Sequence, residues 1–137
     1  MPWLPDTNVW IEILKNRGGT VEEQLLNRSP AEIRLCAVVK AELWHGARKY
    51  GNVSSRLTKL QKLFEGFVSL PFDDIAAWHY GIIRHELEKV GRIIGPNDLK
   101  IAAICLANQL TLVTANTAEF RRLPELRLED WSAPSAE

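Results

Sequence analysis

The sequence has little cysteine, no excess of charge of either sign and no long apolar run. Its two cysteines, Cys36 and Cys105, fall in a predicted strand and a predicted helix without the close spacing of zinc ligands, so we interpret both as buried, reduced thiols. No apolar run is long enough to cross a bilayer, and the N-terminus lacks a basic region leading into an apolar one. These absences argue against a disulfide scaffold, and we expect a cytoplasmic protein without membrane contact.

The charge balance limits how this chain could bind nucleic acid. Its 137 residues include 17 basic and 17 acidic ones, so the whole molecule has no cationic field. Any such binding would depend on a local patch or on metal ions. A nucleotide-binding or phosphatase domain of the doubly wound type needs glycines after its first strand, and Asp6-Thr7-Asn8-Val9 stands there instead. No histidine lies in a nucleophile motif, so a hydrolase with a catalytic triad is also disfavoured.

Short apolar runs alternate with helical periods along the whole chain. This alternation predicts an α/β fold, a three-layer α/β/α sandwich with a central, mainly parallel sheet of four to five strands. We expect one domain over residues 1–131 and a flexible tail over 132–137. Local signals include a capping box from Thr20 to Glu23 and a long helix over residues 73–90. The residues predicted to face inward on that helix are Ile75, His79, Ile82, Ile83, Leu87 and Val90.

Residues 95–103 have the pattern expected at the start of a buried helix. Pro96 suits the first helical position, and apolar residues recur behind it at three- and four-residue steps. Asp98 then lies in the first turn, where a carboxylate commonly caps free N–H groups. The apolar run that follows predicts a strand, which stops in polar, turn-forming residues just before Glu119. Both acidic residues are therefore expected close to the ends of elements.

Two more acidic residues have a similar placement. Asp6 ends the first predicted strand and leads into a helix, which it could also simply cap. Glu42 lies within the apolar stripe of a helix predicted from Val39 to Tyr50, where an unpaired charge would cost on the order of several kcal/mol. A salt bridge to an arginine or lysine would explain Glu42, and so would a functional cleft.

The carboxyl edge of a parallel sheet is where such residues collect, so Asp6, Glu42, Asp98 and Glu119 are predicted to share one cleft. Close carboxylates repel one another in a low-dielectric pocket, and divalent cations relieve that repulsion. Oxygen-only ligands suit Mg²⁺ or Mn²⁺ better than Zn²⁺. One or two such ions would activate water for attack on a phosphodiester.

The four acidic residues lie in ordered sequence blocks. The blocks are Asp6-Thr7-Asn8, Ala41-Glu42-Leu43 with Gly46-Ala47, Gly95-Pro96-Asn97-Asp98 with Ile101-Ala102-Ala103, and Thr114-Ala115-Asn116 with Glu119-Phe120. In these blocks, which together are more specific than any one of them, the sequence resembles the PIN-domain ribonucleases, and most closely the VapC-type toxins of bacterial toxin–antitoxin pairs. The resemblance covers essentially the whole chain and implies a single PIN-like nuclease domain over residues 1–131.

The resemblance implies how the site is divided among residues. Asp6, Glu42 and Asp98 would be ligands of Mg²⁺ or Mn²⁺, and Glu119 would be the fourth acidic residue of the catalytic set. Many family members have an acid at the position of Asn116, which is a neutral amide here. That departure leaves open an alternative, a catalytically inactive RNA-binding or regulatory module of the same fold. The side chains expected to hold or orient the ligands are Thr7, Asn8, Thr114 and Asn116.

The resemblance also implies an activity and partners. The activity is Mg²⁺-dependent cleavage of structured RNA, in a tRNA or rRNA loop, with initiator tRNA as a specific candidate and with 3′-hydroxyl and 5′-phosphate products. The partners are a second copy in a homodimer and a cognate antitoxin that places a basic side chain in the acidic cleft. The helices containing Trp10 and residues 57–67 would supply these surfaces. Pro5 departs from the apolar residue usual there, and it would cost a ladder hydrogen bond unless its nitrogen is on an unpaired side.

Overall fold

The computed structural model describes residues 2–132 and contains five short strands. Residues 133–137 of the predicted tail lie outside this range. The strands are β1 Trp3–Pro5, β2 Arg34–Cys36, β3 Val68–Leu70, β4 Thr111–Val113 and β5 Arg127–Glu129. Every strand pair among the described residues is parallel, in the order β3-β2-β1-β4-β5, with the β2-β3 pair joined to the other three strands by a bridge between Trp3 and Ile33.

Helices connect these strands, so the predicted α/β/α class with a mainly parallel central sheet is confirmed. No helix within residues 2–132 is both long and apolar enough to cross a membrane. The helices are α1 Thr7–Lys15, α2 Thr20–Leu26, α3 Ala37–Arg48, α4 Val53–Glu65, α5 Asp74–Lys89, α6 Pro96–Asn108 and α7 Thr117–Phe120, with a 3₁₀ turn at Pro30–Glu32.

The core is centred on α6 and the middle of the sheet. All five residues from Ile101 to Cys105 on α6 are at most 1% exposed, and so are Leu4 of β1 and Leu112 of β4. A helix buried on so many sides has fixed neighbours, so the core around it sets the position of α6. Cys105 and Cys36 are both buried and free, as predicted.

Pro5 fits β1 without disturbing its pairing with β4. The N–H of Asp6 donates to Val113 O at 2.9 Å, and that of Thr111 donates to Pro2 O at 3.0 Å. The ladder with β4 thus takes its donor from Asp6, and the missing N–H of Pro5 is not used there. Because β1 and β4 are neighbours, Asp6 and Thr114 emerge side by side at the carboxyl edge.

A cluster of two tryptophans, an arginine and a glutamate ties the segment after α2 to the central strand β1 and the edge strand β5. The guanidinium of Arg28 lies over the rings of Trp3 and Trp131, at 4.5 and 4.6 Å from their centroids. Glu129 on β5 accepts from Trp3 Nε1 at 2.7 Å, and from Arg28 and Trp131 Nε1 at 3.2 Å each. One carboxylate therefore joins the first strand to the last.

Some local predictions are wrong. Helix α2 begins at Thr20 with Gly19 as its cap and no side-chain capping bond, so the capping box does not form. Instead, Glu22 accepts from the N–H of Gly18 at 2.8 Å. Helix α3 runs from Ala37 to Arg48, earlier than predicted at both ends.

The inward stripe predicted for α5 is also partly wrong. Ile83 and Leu87 are buried as expected, whereas Ile75 is 60%, Ile82 45% and Val90 65% exposed. Ala76 is fully buried and takes the inward place that the pattern gave to Ile75. The helix therefore carries a second apolar stripe that faces away from the core.

Candidate metal centre

Asp6 lies at the carboxyl end of β1 and caps α1. Its Oδ1 accepts from the N–H of Val9 at 3.0 Å, and the side chain is 6% exposed. Burial raises the pKa of Asp6, the Thr114 hydroxyl and the amides of Val9 and Asn8 oppose that rise, and the charge of Glu42 adds to it. Asp6 therefore caps α1 as predicted, but burial and the nearby charge of Glu42 still disfavour its charged form.

Glu42 lies in the second turn of α3 and is half-buried. Its Oε1 accepts from the hydroxyl of Thr7 at 2.5 Å, and its Oε2 accepts from Asn97 Nδ2 at 3.5 Å. Both partners are neutral. The ion pairs seen among residues 2–132 lie elsewhere, at Arg17–Glu22, Arg28–Glu129, Arg84–Glu88 and Glu86–Lys89. A salt bridge therefore does not explain this inward-facing glutamate.

Asp98 lies in the first turn of α6, as the sequence predicted. Its pKa is raised to about 6, first by burial and then by the negative charges of Asp6, Glu42 and Glu119. Charges raise a carboxyl pKa in this way only when they are near and of the same sign. The structure thus brings the four acidic side chains that the sequence singled out into one electrostatic neighbourhood.

Glu119 lies on α7, just after the carboxyl end of β4. Its carboxylate accepts a hydrogen bond from the side-chain amide of Asn116. The backbone N–H of Asn116 donates to Thr114 Oγ1 at 3.0 Å. Since the Thr114 hydroxyl also bonds to Asp6, one fully buried threonine connects two of the acidic groups. Asn116 therefore acts here as a donor to Glu119.

The predicted supporting residues behave differently from one another. Thr7, Thr114 and Asn116 each contact an acidic residue through their side chains. Asn8 acts on Asp6 through its backbone, and its side chain is exposed. Asn97 was not predicted as a site residue, although it directly precedes Asp98, because only the fold brings it to Glu42 on another helix.

The donor set fits a hard divalent cation. Four carboxylates supply oxygen ligands of the kind Mg²⁺ and Mn²⁺ prefer, and their mutual repulsion is the condition that such a cation relieves. Within residues 2–132, no three acidic, histidine or cysteine side chains lie close enough together to hold an ion as they stand. In this arrangement one oxygen of Glu42 accepts from Thr7, and the Glu119 carboxylate accepts from Asn116.

Comparison with known proteins decides the family. A family model described as the PIN domain matches residues 3–126. The chain belongs to the PIN-domain family. This PIN domain is 38% identical to the tRNA(fMet)-specific endonuclease VapC of Shigella flexneri over 136 residues, covering 96% of this chain and 99% of that protein. It is 34% identical to Ribonuclease VapC2 of Rickettsia felis, covering 96% and 98%.

Solved structures agree with these relatives. The crystal structure of VapBC2 from Rickettsia felis, bound to a DNA fragment from their promoter, matches this PIN domain with a TM-score of 0.88 at 32% identity, covering 96% of this chain and 99% of that one. The resemblance to VapC-type ribonucleases that the sequence suggested is confirmed, and with it the assignment to a nuclease class acting on RNA.

Proposed function

We propose that this PIN domain is a Mg²⁺-dependent endoribonuclease toxin that cuts structured RNA. The observation that carries the proposal is the cleft at the carboxyl edge, where the charges of Asp6, Glu42 and Glu119 raise the pKa of Asp98. The hydrogen-bond donors to Glu42 and Glu119 are neutral hydroxyl and amide groups. A bound divalent cation would offset the repulsion among these carboxylates.

The residues divide the work between binding and orientation. Asp6, Glu42, Asp98 and Glu119 hold the cation or cations through carboxylate oxygens, while Thr7 and Asn97 orient Glu42. Thr114 orients Asp6 and, through the Asn116 N–H, fixes the loop that carries Glu119. Bound Mg²⁺ would lower the pKa of a coordinated water and stabilise the negative charge that develops at the phosphodiester. No histidine or serine nucleophile is needed, and cleavage leaves a 3′-hydroxyl and a 5′-phosphate.

The substrate and partners extend the proposal. A relative is named for tRNA(fMet), so initiator tRNA is the substrate to test first. Similar solved structures are VapBC complexes, which supports a cognate antitoxin as the inhibitor in the cell. The antitoxin places a basic side chain against the four carboxylates. The protein acts in the cytoplasm, where its RNA substrates are, and it acts as a homodimer.

Titration of Mg²⁺ against the purified protein and initiator tRNA tests the proposal. We expect cleavage that requires the cation, and its loss in Asp98→Asn with the fold intact. Glu125→Gln, a change of the same kind at an exposed loop residue, is the matched control and should cut as the wild type does. Mapping of transcript ends then identifies the cut site and its termini.

The alternative is an inactive RNA-binding module, which the neutral Asn116 keeps in consideration. Such a module would bind RNA at every Mg²⁺ concentration without cutting tRNA or rRNA, and Asp98→Asn would not change that. Retained cleavage by Asp98→Asn would instead refute the assignment of the cleft.

A further inference from the structure

The four carboxylates of the cleft repel the phosphates of any RNA that enters it. The chain as a whole does not offset that repulsion, because its 17 basic and 17 acidic residues leave no net positive charge. A bound cation acts mainly on the phosphate that it contacts. The phosphates on either side of the cut bond therefore need a cationic side chain of the protein beside the cleft.

Many basic side chains are held by other contacts or lie far from the carboxyl edge. The residues held by an ion pair or over an aromatic ring are Arg17, Arg28, Lys40, Arg84 and Lys89. Lys15 and Arg48 end α1 and α3, which both begin at the carboxyl edge and run away from it. Arg122 lies just after α7 and is exposed. Its side chain makes no ion pair or hydrogen bond with the rest of residues 2–132, so it is available to a ligand.

The backbone around Arg122 repeats with a period of three residues. Phe120, Leu123 and Leu126 are 1%, 5% and 7% exposed, so one side of this segment is anchored in the core. The N–H of Leu123 donates to Phe120 O at 2.9 Å, and that of Leu126 donates to Leu123 O at 3.1 Å. These are the bonds between residues three apart that define tight, 3₁₀-like turns. The backbone that carries Arg122 is therefore fixed on both sides.

The same period places Arg122 on the face of the segment that carries Glu119. The N–H of Arg122 donates to Glu119 O at 3.3 Å. Residues three apart eclipse one another in such a turn and are about 6 Å apart along its axis. Glu119 is half-buried, its charge acts on Asp98, and its carboxylate accepts from Asn116. Arg122 therefore lies beside the cleft with an unpaired guanidinium.

Arg121 precedes Arg122, has the same charge and is also exposed. The period of three aligns Arg121 with the exposed Ala118 and not with Glu119. Its side chain therefore points to solvent on another face. Of these two adjacent arginines, only Arg122 is on the side of the cleft.

We propose that Arg122 binds a phosphate of the RNA next to the phosphodiester that is cut. A guanidinium donates to two phosphate oxygens at once and contacts no base, so it fixes the register of the RNA backbone without selecting a sequence. The inference rests on the proposed nuclease function and adds to it a residue that binds the substrate.

Binding of uncut RNA tests this contact, with Asp98→Asn as the starting protein because it is not expected to cut. Initiator tRNA and an unrelated tRNA are the probes, at a fixed Mg²⁺ concentration. Adding Arg122→Gln should weaken the binding of both tRNAs by about tenfold and reduce the slope of log affinity against log salt by about one. Adding Arg122→Lys should keep that slope, because the charge remains, and lose part of the affinity, because one donor fork is lost.

Arg121→Gln is the matched control, since it removes the same charge one residue away. It should weaken binding much less than Arg122→Gln does. With Asp98 intact, Arg122→Gln should raise KM for the RNA by about tenfold and leave unchanged the Mg²⁺ concentration that gives half-maximal cleavage. Thermal unfolding of each variant separates a lost contact from a lost fold.

A different role for Arg122, pairing with Glu119 to tune the metal site, predicts the opposite result. Arg122→Gln would then change the Mg²⁺ requirement and leave the RNA affinity unchanged, which would overturn the proposal. Equal effects of Arg121→Gln and Arg122→Gln would also overturn it, because they would show a general effect of charge.

The failure of this inference is distinguishable from the failure of the nuclease assignment. A wild type that binds tRNA through Arg122 but cuts no RNA at any Mg²⁺ concentration would overturn the proposed function and leave this contact in place. Cleavage by the wild type, with RNA affinity unchanged in Arg122→Gln, would do the reverse.

Discussion

Replacement of Asp98 by asparagine should make the metal-free protein more stable while it destroys the cleft. The pKa of Asp98 is raised from 3.8 to about 6 by burial and by three neighbouring carboxylates. Because Asp98 is only half-buried, solvent screening reduces the effect of that shift to on the order of 2 kcal/mol against the charged form. Loss of the favourable interaction between this charge and the start of α6 costs about 0.5–1 kcal/mol, so the net gain in unfolding free energy is about 1 kcal/mol.

The gain should depend on pH with a definite sign. Because the folded pKa lies above the unfolded one, the folded protein holds the proton more tightly between pH 3.8 and about 6. Stability of the wild type therefore falls as pH rises through that window, relative to Asp98→Asn, which does not titrate there. The difference between the two proteins should be small below pH 3.8 and reach its full size above pH 6.

Thermal unfolding in the presence of a chelator measures this difference. At pH 8 we expect Asp98→Asn to melt roughly 3–5 °C above the wild type, and Glu125→Gln to melt with the wild type. Added Mg²⁺ should raise the melting temperature of the wild type and leave that of Asp98→Asn nearly unchanged. Destabilisation by Asp98→Asn at pH 8 without metal, or a gain that does not vary with pH, would refute the crowding of charge in the cleft.

Three further outcomes follow from the contacts described above. Thr7→Val removes the hydroxyl that orients Glu42 and should weaken Mg²⁺ binding by about tenfold in a calorimetric titration, whereas Thr7→Ser should bind normally; equal loss in both would contradict the role of the hydroxyl. Arg28→Met breaks the cluster around Glu129 and should lower the free energy of unfolding in urea by about 3 kcal/mol, and a change below about 0.5 kcal/mol would show that the cluster does not stabilise the fold. The pKa of Cys36 is raised to about 11, chiefly by burial, so its thiol should react with a disulfide reagent at pH 8 only after unfolding; rapid reaction in the native protein would contradict that burial.

The sequence predicted the strands and the acidic residues because both depend on local signals. Asp98 follows a proline that fixes the start of α6, and Asp6 ends a strand at a residue that caps the next helix. In a parallel sheet such positions meet at one edge, so their grouping could be anticipated before any distance was known.

Contacts between distant elements were not predictable in the same way. The hydrogen bond from Asn97 to Glu42 joins α6 to α3, and the two residues are 55 positions apart in the chain. On α5, the apolar period fits two stripes, and only the packing against α6 selects the one with the small Ala76. Periodicity shows the spacing of apolar residues but not which side of the helix meets a neighbour. The pattern therefore wrongly predicted that Ile75 and Ile82 face inward.

The central position of β1 in the sheet has a consequence for synthesis. β1 pairs with β4, with Trp3 opposite Thr111, so β1 cannot complete this pairing until β4 has been synthesised. Closing so long a loop carries an entropic penalty that nothing made earlier in the chain offsets. A nascent chain therefore cannot form the cleft before β4 has left the ribosome, and it cannot cut RNA before that point.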